Sequence, residues 1–214
     1  MSEFDTPAIA TDATDALLKR IRACAVCAGG DPPLPVVPNP IVRGTARSKI
    51  RLIGQAPGTL AHASSIPFDD PSGTRLRSWL GVDSEIFYNP DIFAITPMGF
   101  CFPGQDAKGS DLPPRKECAP LWQDALTTVL PEVELTLVVG MYAVKKHLGP
   151  RAKRNLTETV RHWRTYGPDI IPLPHPSWRN NAWIKRHDWF GGTLADLKSR
   201  VGEIVAREHS KNSF

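Results

Sequence analysis

The reactive side chains of this sequence fall into a few short groups. Cys24, Cys27, Cys101 and Cys118 are the only cysteines, spaced as C-x2-C, 73 residues, then C-x16-C. Two thiolates from one turn can grip a single centre, and two further cysteines complete a four-thiolate set. Spacing alone leaves zinc and a [4Fe–4S] cluster both open, with buried free thiols as the bland alternative. A second group is three polar turns: Gly54-Gln-Ala-Pro-Gly58, Pro67-Phe68-Asp-Asp-Pro-Ser-Gly73 and His175-Pro-Ser177. They bring a histidine and two carboxylates, Asp69 and Asp70, the residue types that general acid–base or electrostatic catalysis uses. Gln55 cannot serve as a base at neutral pH, and His62 ranks behind the two aspartates. A third group runs from Ser177 to Phe190, where Trp178, Trp183 and Trp189 interleave with Arg179, Lys185, Arg186 and His187. That mixture suits phosphate contact with base stacking. An amphipathic helix with tryptophans in the core would look similar, and both are expected here.

The elements that must hold these groups alternate between strand and helix. Lys49–Ile53, Ile92–Thr96, Val133–Val139 and Ile170–Leu173 read as strands. Between them lie helical patterns. A first helix starts near Asp12 with Leu17, Leu18 and Ile21 on one face. Ser72 is placed to cap a helix carrying Leu76, Trp79 and Leu80. A third helix holds Leu121 to Val129 and stops before Pro131, and a fourth ends at Gly149-Pro150. Asn155 and Glu158 have the spacing of a capping pair ahead of Leu156, Val160 and Trp163. Leu194, Leu197, Val201, Ile204 and Val205 form the inner face of a closing helix. Such alternation predicts an α/β fold, a mostly parallel sheet covered on both sides. Ligands of such sheets bind at the carboxyl ends of the strands, so residues 54–58, 97–104 and 174–180 should converge on one site.

Composition sets outer limits. The chain has 214 residues, 41% hydrophobic and 22% charged, which excludes a disordered or collagen-like chain. No apolar run approaches the roughly 20 residues of a membrane span. The first residues lack the pattern of a signal peptide, so a cytoplasmic protein without disulfides is expected. The net charge of +4 permits a polyanionic partner without proving one. Proline, at 21 of 214, falls in clusters that read as ordered connections. There is no internal repeat and no compositional break, so residues 1–214 are expected to form one domain, its core over about 20–205.

Taken together, the three turns resemble motifs of the uracil-DNA glycosylase superfamily. Gly54-Gln-Ala-Pro-Gly58 is similar to its first motif and His175-Pro-Ser177 to its second. The Pro67–Gly73 segment with Arg75-Leu76, and the four cysteines, resemble the iron–sulfur-containing family-four branch. The resemblance implies a three-layer α/β/α sandwich with a short, mostly parallel sheet. It implies a monofunctional DNA glycosylase that hydrolyses the N-glycosidic bond of uracil, or a related deaminated base, in DNA; a monomer with no membrane partner is expected. The base must leave the duplex and enter a pocket. His175 would hydrogen-bond uracil O2 and stabilise the departing anion, and Phe68 would stack on the base. Gly54, Gln55, Ala56, Pro57 and Gly58 would line the pocket and position water. Asp69 and Asp70 would stabilise the sugar cation or activate water. Ser177 would hold a phosphate, Trp178-Arg179-Asn180 would occupy the place of the duplex wedge, and Lys185 and Arg186 would meet phosphates. Cys24, Cys27, Cys101 and Cys118 would hold a structural [4Fe–4S] cluster, with zinc the lesser alternative.

The sequence departs from the family-four pattern in three places. Gln55 stands where that branch usually has Glu. Pro97 stands where it has an Asn that reads the uracil edge, so that role is expected from backbone or from Asn89. The wedge residues are not aliphatic. These departures keep a second reading open, a non-catalytic protein that binds DNA lesions or single strands on the same fold. A zinc-stabilised small-molecule hydrolase is a weaker third, because no His/Asp/Glu cluster has the look of an open catalytic metal site.

Overall fold

Four short apolar runs make the sheet, and their side chains alternate between two faces as the pleat requires. The computed structural model describes residues 6–211. Strands β1 (Ile50–Ile53), β2 (Phe93–Ile95), β3 (Leu135–Val139) and β4 (Ile170–Leu173) pair in the order β2-β1-β3-β4, all parallel. The chain leaves β1 toward β2 on one side and leaves β3 toward β4 on the other. A crevice therefore opens at the carboxyl ends of β1 and β3, the place where open α/β sheets bind ligands.

One face of the sheet presents Ile50, Leu52, Leu135, Leu137, Val139, Ile171 and Leu173. Against it pack α3 (Pro71–Leu80), α4 (Ser84–Tyr88), α7 (Leu156–Arg161) and the long α9 (Phe190–Lys211). Leu76, Trp79 and Leu80 are buried at the expected spacing, and Trp79 meets Phe190 edge-on at 5.2 Å. The other face presents Ile53 and Val138 to α6 (Met141–Leu148) and covers Arg51 with α5 (Cys118–Val129). Helix α1 (Thr6–Arg22) packs outside α5 through Leu17, Leu18 and Ile21. The result is a three-layer α/β/α arrangement. Two short helices, α2 (Thr59–Ser64) and α8 (Asn181–Arg186), lie in the connections after β1 and β4. Among the described residues no helix is long and apolar enough to cross a membrane.

Several boundaries differ from the sequence reading. Helix α1 begins at Thr6, six residues before Asp12; Pro7 is tolerated in a first turn, where its missing N–H breaks no helical bond. The cap of α3 is Asp70, not Ser72: Asp70 Oδ1 accepts from Gly73 N at 2.8 Å, and Pro71 opens the helix. Strand β3 starts at Leu135 rather than Val133, because Val133 N still closes a turn onto Leu130 O. Asn155 does cap α7, accepting from Glu158 N at 2.9 Å, but Trp163 lies beyond that helix in a 3-10 turn.

Arg51 is a charged residue in the central strand, buried against neutral partners. It donates to Thr96 Oγ1 (3.0 Å), Thr127 Oγ1 (2.6 Å) and Gln123 Oε1 (2.8 Å). Burial draws its pKa down to about 10. His147 of α6 lies in the field of this cation, its Nε2 buried without a partner among the described residues. Burial, then Arg51 and Lys146, push its pKa down to about 4. The unfolded chain takes up this proton near pH 6.5 and the folded chain only near 4. Stability is therefore lost as pH falls from about 6.5 to about 4, by on the order of 3 kcal/mol at the low end. Denaturant unfolding across that window should show a shallower decline in His147→Leu than in the parent protein.

Candidate active site and cysteine cluster

The turn after β1 is pinned from below. Met98 N donates to Gly54 O and Gly99 N to Gln55 O, both at 2.9 Å. The Phe68 ring lies against Gly54: a Cβ there would stand 3.0 Å from Phe68 Cζ, so any side chain would push the ring. Phe68 itself sits at φ +57, in the left-handed region that an aromatic residue seldom adopts and that costs on the order of 1–3 kcal/mol. Its ring is braced edge-on by Phe87 at 6.2 Å. Gly73 makes the conformation possible, since a Cβ at Gly73 would fall 1.8 Å from Phe68 O.

These pieces form one side of a cavity of about 430 Å³, enough for a nucleoside-sized ligand. All of residues 54–58 line it, with Phe68, Asp70, Pro97, Asp111, His175 and residues 177–180. The turns after β1, β2 and β4 do meet, as the strand-end argument requires.

His175 follows β4 and is fixed by three bonds to its turn. Ser177 N donates to His175 Nδ1 (3.2 Å), Asn180 Nδ2 donates to His175 O (2.6 Å), and Arg75 Nη1 of α3 donates to Ser177 O (3.0 Å). Gly140, at φ +84, passes 4.0 Å from His175 Cβ if given a Cβ of its own. Burial lowers the His175 pKa, while Asp70 and Asp111 pull it up and Arg179 pushes it down. The imidazole is thus neutral at pH 7. Because Nδ1 accepts the Ser177 N–H, the ring proton is assigned to Nε2. His175 lines the cavity, and its neutral Nε2–H, with no protein acceptor among the described residues, is a group able to hold a developing oxyanion.

Not every expected residue reaches the cavity. Asp70 lines it; Asp69 does not, being exposed with its charge acting on Tyr88. Asn89 is misplaced more seriously. It precedes β2 and so lies at the amino end of the sheet, where its Oδ1 accepts from Asp91 N at 3.0 Å and it borders a separate cavity. It cannot read a base held at the carboxyl ends. Pro97 lines the cavity, its carbonyl accepting from Gln123 Nε2 at 2.8 Å. His62 faces Phe102 instead. Ser177 has spent its N–H on His175, leaving its hydroxyl for any phosphate, and the Asn180 amide is spent on the same turn. Trp178 is 68% exposed beside the mouth, with Arg179 over its ring at 5.3 Å. Lys185 and Arg186 sit exposed on α8, outside the cavity. Trp183 and Trp189 pack half-buried on the core, and Trp183 Nε1 donates to Thr157 Oγ1. Sequence reasoning missed Ser72, Ser110 and Asp111 at the cavity wall. Ser72 reads in the sequence only as a helix cap, and nothing in the polar 104–112 loop marks Ser110 or Asp111 in advance.

The four cysteines surround one small enclosed space walled by Leu34, Pro38, Pro40, Phe100 and Trp122. Cys24 ends the α1 connection, Cys27 lies in a 3-10 turn, Cys101 follows β2, and Cys118 opens α5. Burial pushes the Cys101 thiol up to about 11 and Cys118 to about 12, and the other thiols add to it. Arg115 bonds the Cys27 thiol and pairs with Glu117 at 3.7 Å. Four soft donors in a dry pocket fit a thiolate-bound metal group, whose positive charge would offset the cost of ionising them. Among the described residues no three ligand-type side chains already converge on a single ion.

The comparison with known families agrees with this geometry. The family model described as the Uracil DNA glycosylase superfamily matches residues 41–198, from the segment before β1 into α9. That stretch holds the sheet, the β1 and β4 turns, the Phe68 shelf and two of the cysteines. On this match the chain belongs to the uracil DNA glycosylase superfamily, whose membership supports a glycosylase function on uracil-type lesions in DNA.

Proposed function

We propose that this protein is a monofunctional DNA glycosylase that removes uracil, or a related deaminated base, and leaves an abasic site. The observation that carries the reading is the convergence of a neutral His175 Nε2–H, the Phe68 ring and the Gly54–Gly58 backbone on one cavity. A flipped base stacks on Phe68 with its O2 toward His175. As the N1–C1′ bond breaks, charge grows on that oxygen, and a donor fixed in advance stabilises it without reorganisation. Asp70, anchored as the cap of α3, places a fixed negative charge toward the sugar as it becomes cationic. Trp178 and Arg179 at the mouth, with Lys185 and Arg186 behind, supply an aromatic surface and cations for the strand. A single chain contains all of these groups, so a monomer suffices.

The reading is tested with oligonucleotides carrying uracil, hypoxanthine or xanthine, single- and double-stranded, by detecting the free base. Release of at least one deaminated base with no strand break supports it. Tight binding with no base released would favour the lesion-binding alternative, which Pro97 and Gln55 motivate by offering no side-chain acid or base.

We further propose that Cys24, Cys27, Cys101 and Cys118 hold a [4Fe–4S] cluster. One tetrahedral ion needs its sulfurs about 2.3 Å from a single point, whereas a cluster spreads its ligands over several irons. The four cysteines line one pocket, and the resemblance to the iron–sulfur-containing branch favours the cluster. The cluster would tie the α1 connection to α5 and the loop after β2. Anaerobically purified protein should be brown, and Cys101→Ser should lose the visible absorbance and unfold at a lower temperature. Colourless protein with stoichiometric zinc would overturn the assignment.

A further inference from the structure

The cavity wall contains a carboxylate outside the three motif turns. Asp111 lies on the loop between Cys101 and Cys118, and its Oδ2 stands 3.2 Å from where a Cβ on Gly58 would be. The side chain therefore rests on the turn that follows β1. Gln105 Nε2 donates to Asp111 Oδ1 at 3.1 Å, and residues 105 and 111 also bridge through their backbones. Among the described residues nothing donates to Oδ2. Two bonds pin the loop across the mouth: Gln55 Nε2 donates to Leu112 O (3.2 Å), and Arg179 Nη2 donates to Gly109 O (3.4 Å). An Asp106 turn stiffens its tip, Oδ1 accepting from Lys108 N and Ser110 N at 2.8 Å.

Gln55 thus has a defined task that a carboxylate could not perform. Its amide N–H holds the carbonyl next to Asp111; a glutamate in its place would repel that carbonyl. The residue that cannot take a proton positions one that can. Asp70 shares the cavity, its Oδ1 tied to the cap of α3 as Asp111 Oδ1 is tied to Gln105; what sets Asp111 apart is that its Oδ2 rests on the turn after β1. We propose that Asp111 is the carboxylate that takes the proton from the attacking water. The water oxygen bonds to sugar C1′, and the C1′–N1 bond breaks with its electron pair left on the base. The water proton passes to Asp111 Oδ2, and His175 holds the base anion until it is protonated by solvent. Gln55 and Gln105 are positioning residues for this step.

The inference rests on the glycosylase reading, and the test separates the two. Single-turnover excision from a uracil-containing oligonucleotide is measured for wild type, Asp111→Ala, Asp111→Asn, Asp70→Asn and Gln55→Ala, with DNA affinity and thermal midpoint for each. Asp111→Ala and Asp111→Asn should be slower by roughly 10²-fold or more, the scale of losing a general base. Affinity and thermal midpoint should be unchanged, since the loop is exposed. Added formate should restore part of the Asp111→Ala rate and none of the Asp111→Asn rate, where the amide fills the space. Gln55→Ala should slow excision less than Asp111→Ala does. Asp70→Asn keeps a good cap and should lose less than Asp111→Asn. An Asp111→Ala rate within about threefold of wild type, or a loss that formate does not move, would overturn the assignment while leaving the glycosylase reading intact. Wild-type protein that excises no deaminated base would defeat that reading and this one with it.

Discussion

Replacing His175 with alanine is expected to slow base release by roughly 10²- to 10³-fold, the range for losing one preorganised oxyanion donor. The expectation follows from how the ring is held. Ser177 N–H into Nδ1 leaves the proton on Nε2, and burial keeps the ring neutral at pH 7. The ring is oriented before the base arrives, so its bond to the leaving oxygen strengthens as charge develops there without any reorganisation. DNA affinity should change little, because the exposed Trp178 and the cations Arg179, Lys185 and Arg186 are left in place. Asn at this position should recover part of the rate if its amide can reach the same oxygen. An unchanged rate in His175→Ala would remove this residue from the chemistry.

Gly73→Ala gives the second large effect, and its sign separates packing from propensity. Gly73 lies in the first turn of α3, where alanine is the better helix former by about 1 kcal/mol. Propensity alone predicts a more stable protein. The geometry predicts the reverse, because the new Cβ would fall 1.8 Å from Phe68 O, 2.7 Å from Phe68 C and 2.8 Å from Phe68 Cβ. The first two of these are backbone, so rotamer adjustment offers no relief. Either α3 moves away from the 67–70 segment or Phe68 leaves its left-handed conformation. Both displace the Phe68 ring and strain the Asp70 cap. A lower thermal midpoint is expected, by the roughly 1–3 kcal/mol typical of overpacking. Excision should fall by about 10²-fold, the scale of a misplacement of about 1 Å at a reacting centre. A stabilised, fully active Gly73→Ala would contradict the account of the Phe68 shelf.

Local signals made much of this fold legible. The β-branched run at β3 and the spacing of Leu76, Trp79 and Leu80 are properties of short segments, and the structure follows them. The convergence of the turns after β1, β2 and β4 follows from parallel topology, which the alternation of strands and helices implies. What remained hidden depends on contacts distant in sequence. Asn89 carries a plausible side chain but sits at the wrong end of β2, and only the strand direction reveals that. Asp69 and Asp70 are neighbours that face different ways because one caps α3. Asp111 owes its place to Gln55, 57 residues away from the carbonyl it holds. Arg51 occupies a strand position that pattern alone marks as apolar, and its partners Thr96, Gln123 and Thr127 lie far from it in sequence.

The cavity beyond the carboxyl ends of the parallel strands is proposed to cleave a glycosidic bond. The most direct measurement incubates the purified protein with end-labelled single- and double-stranded oligonucleotides that each carry one uracil, then treats them with alkali. The account predicts a single break at the uracil that appears only after alkali, and that is slowed in His175→Ala. DNA bound tightly by the wild-type protein yet left intact after alkali would contradict it.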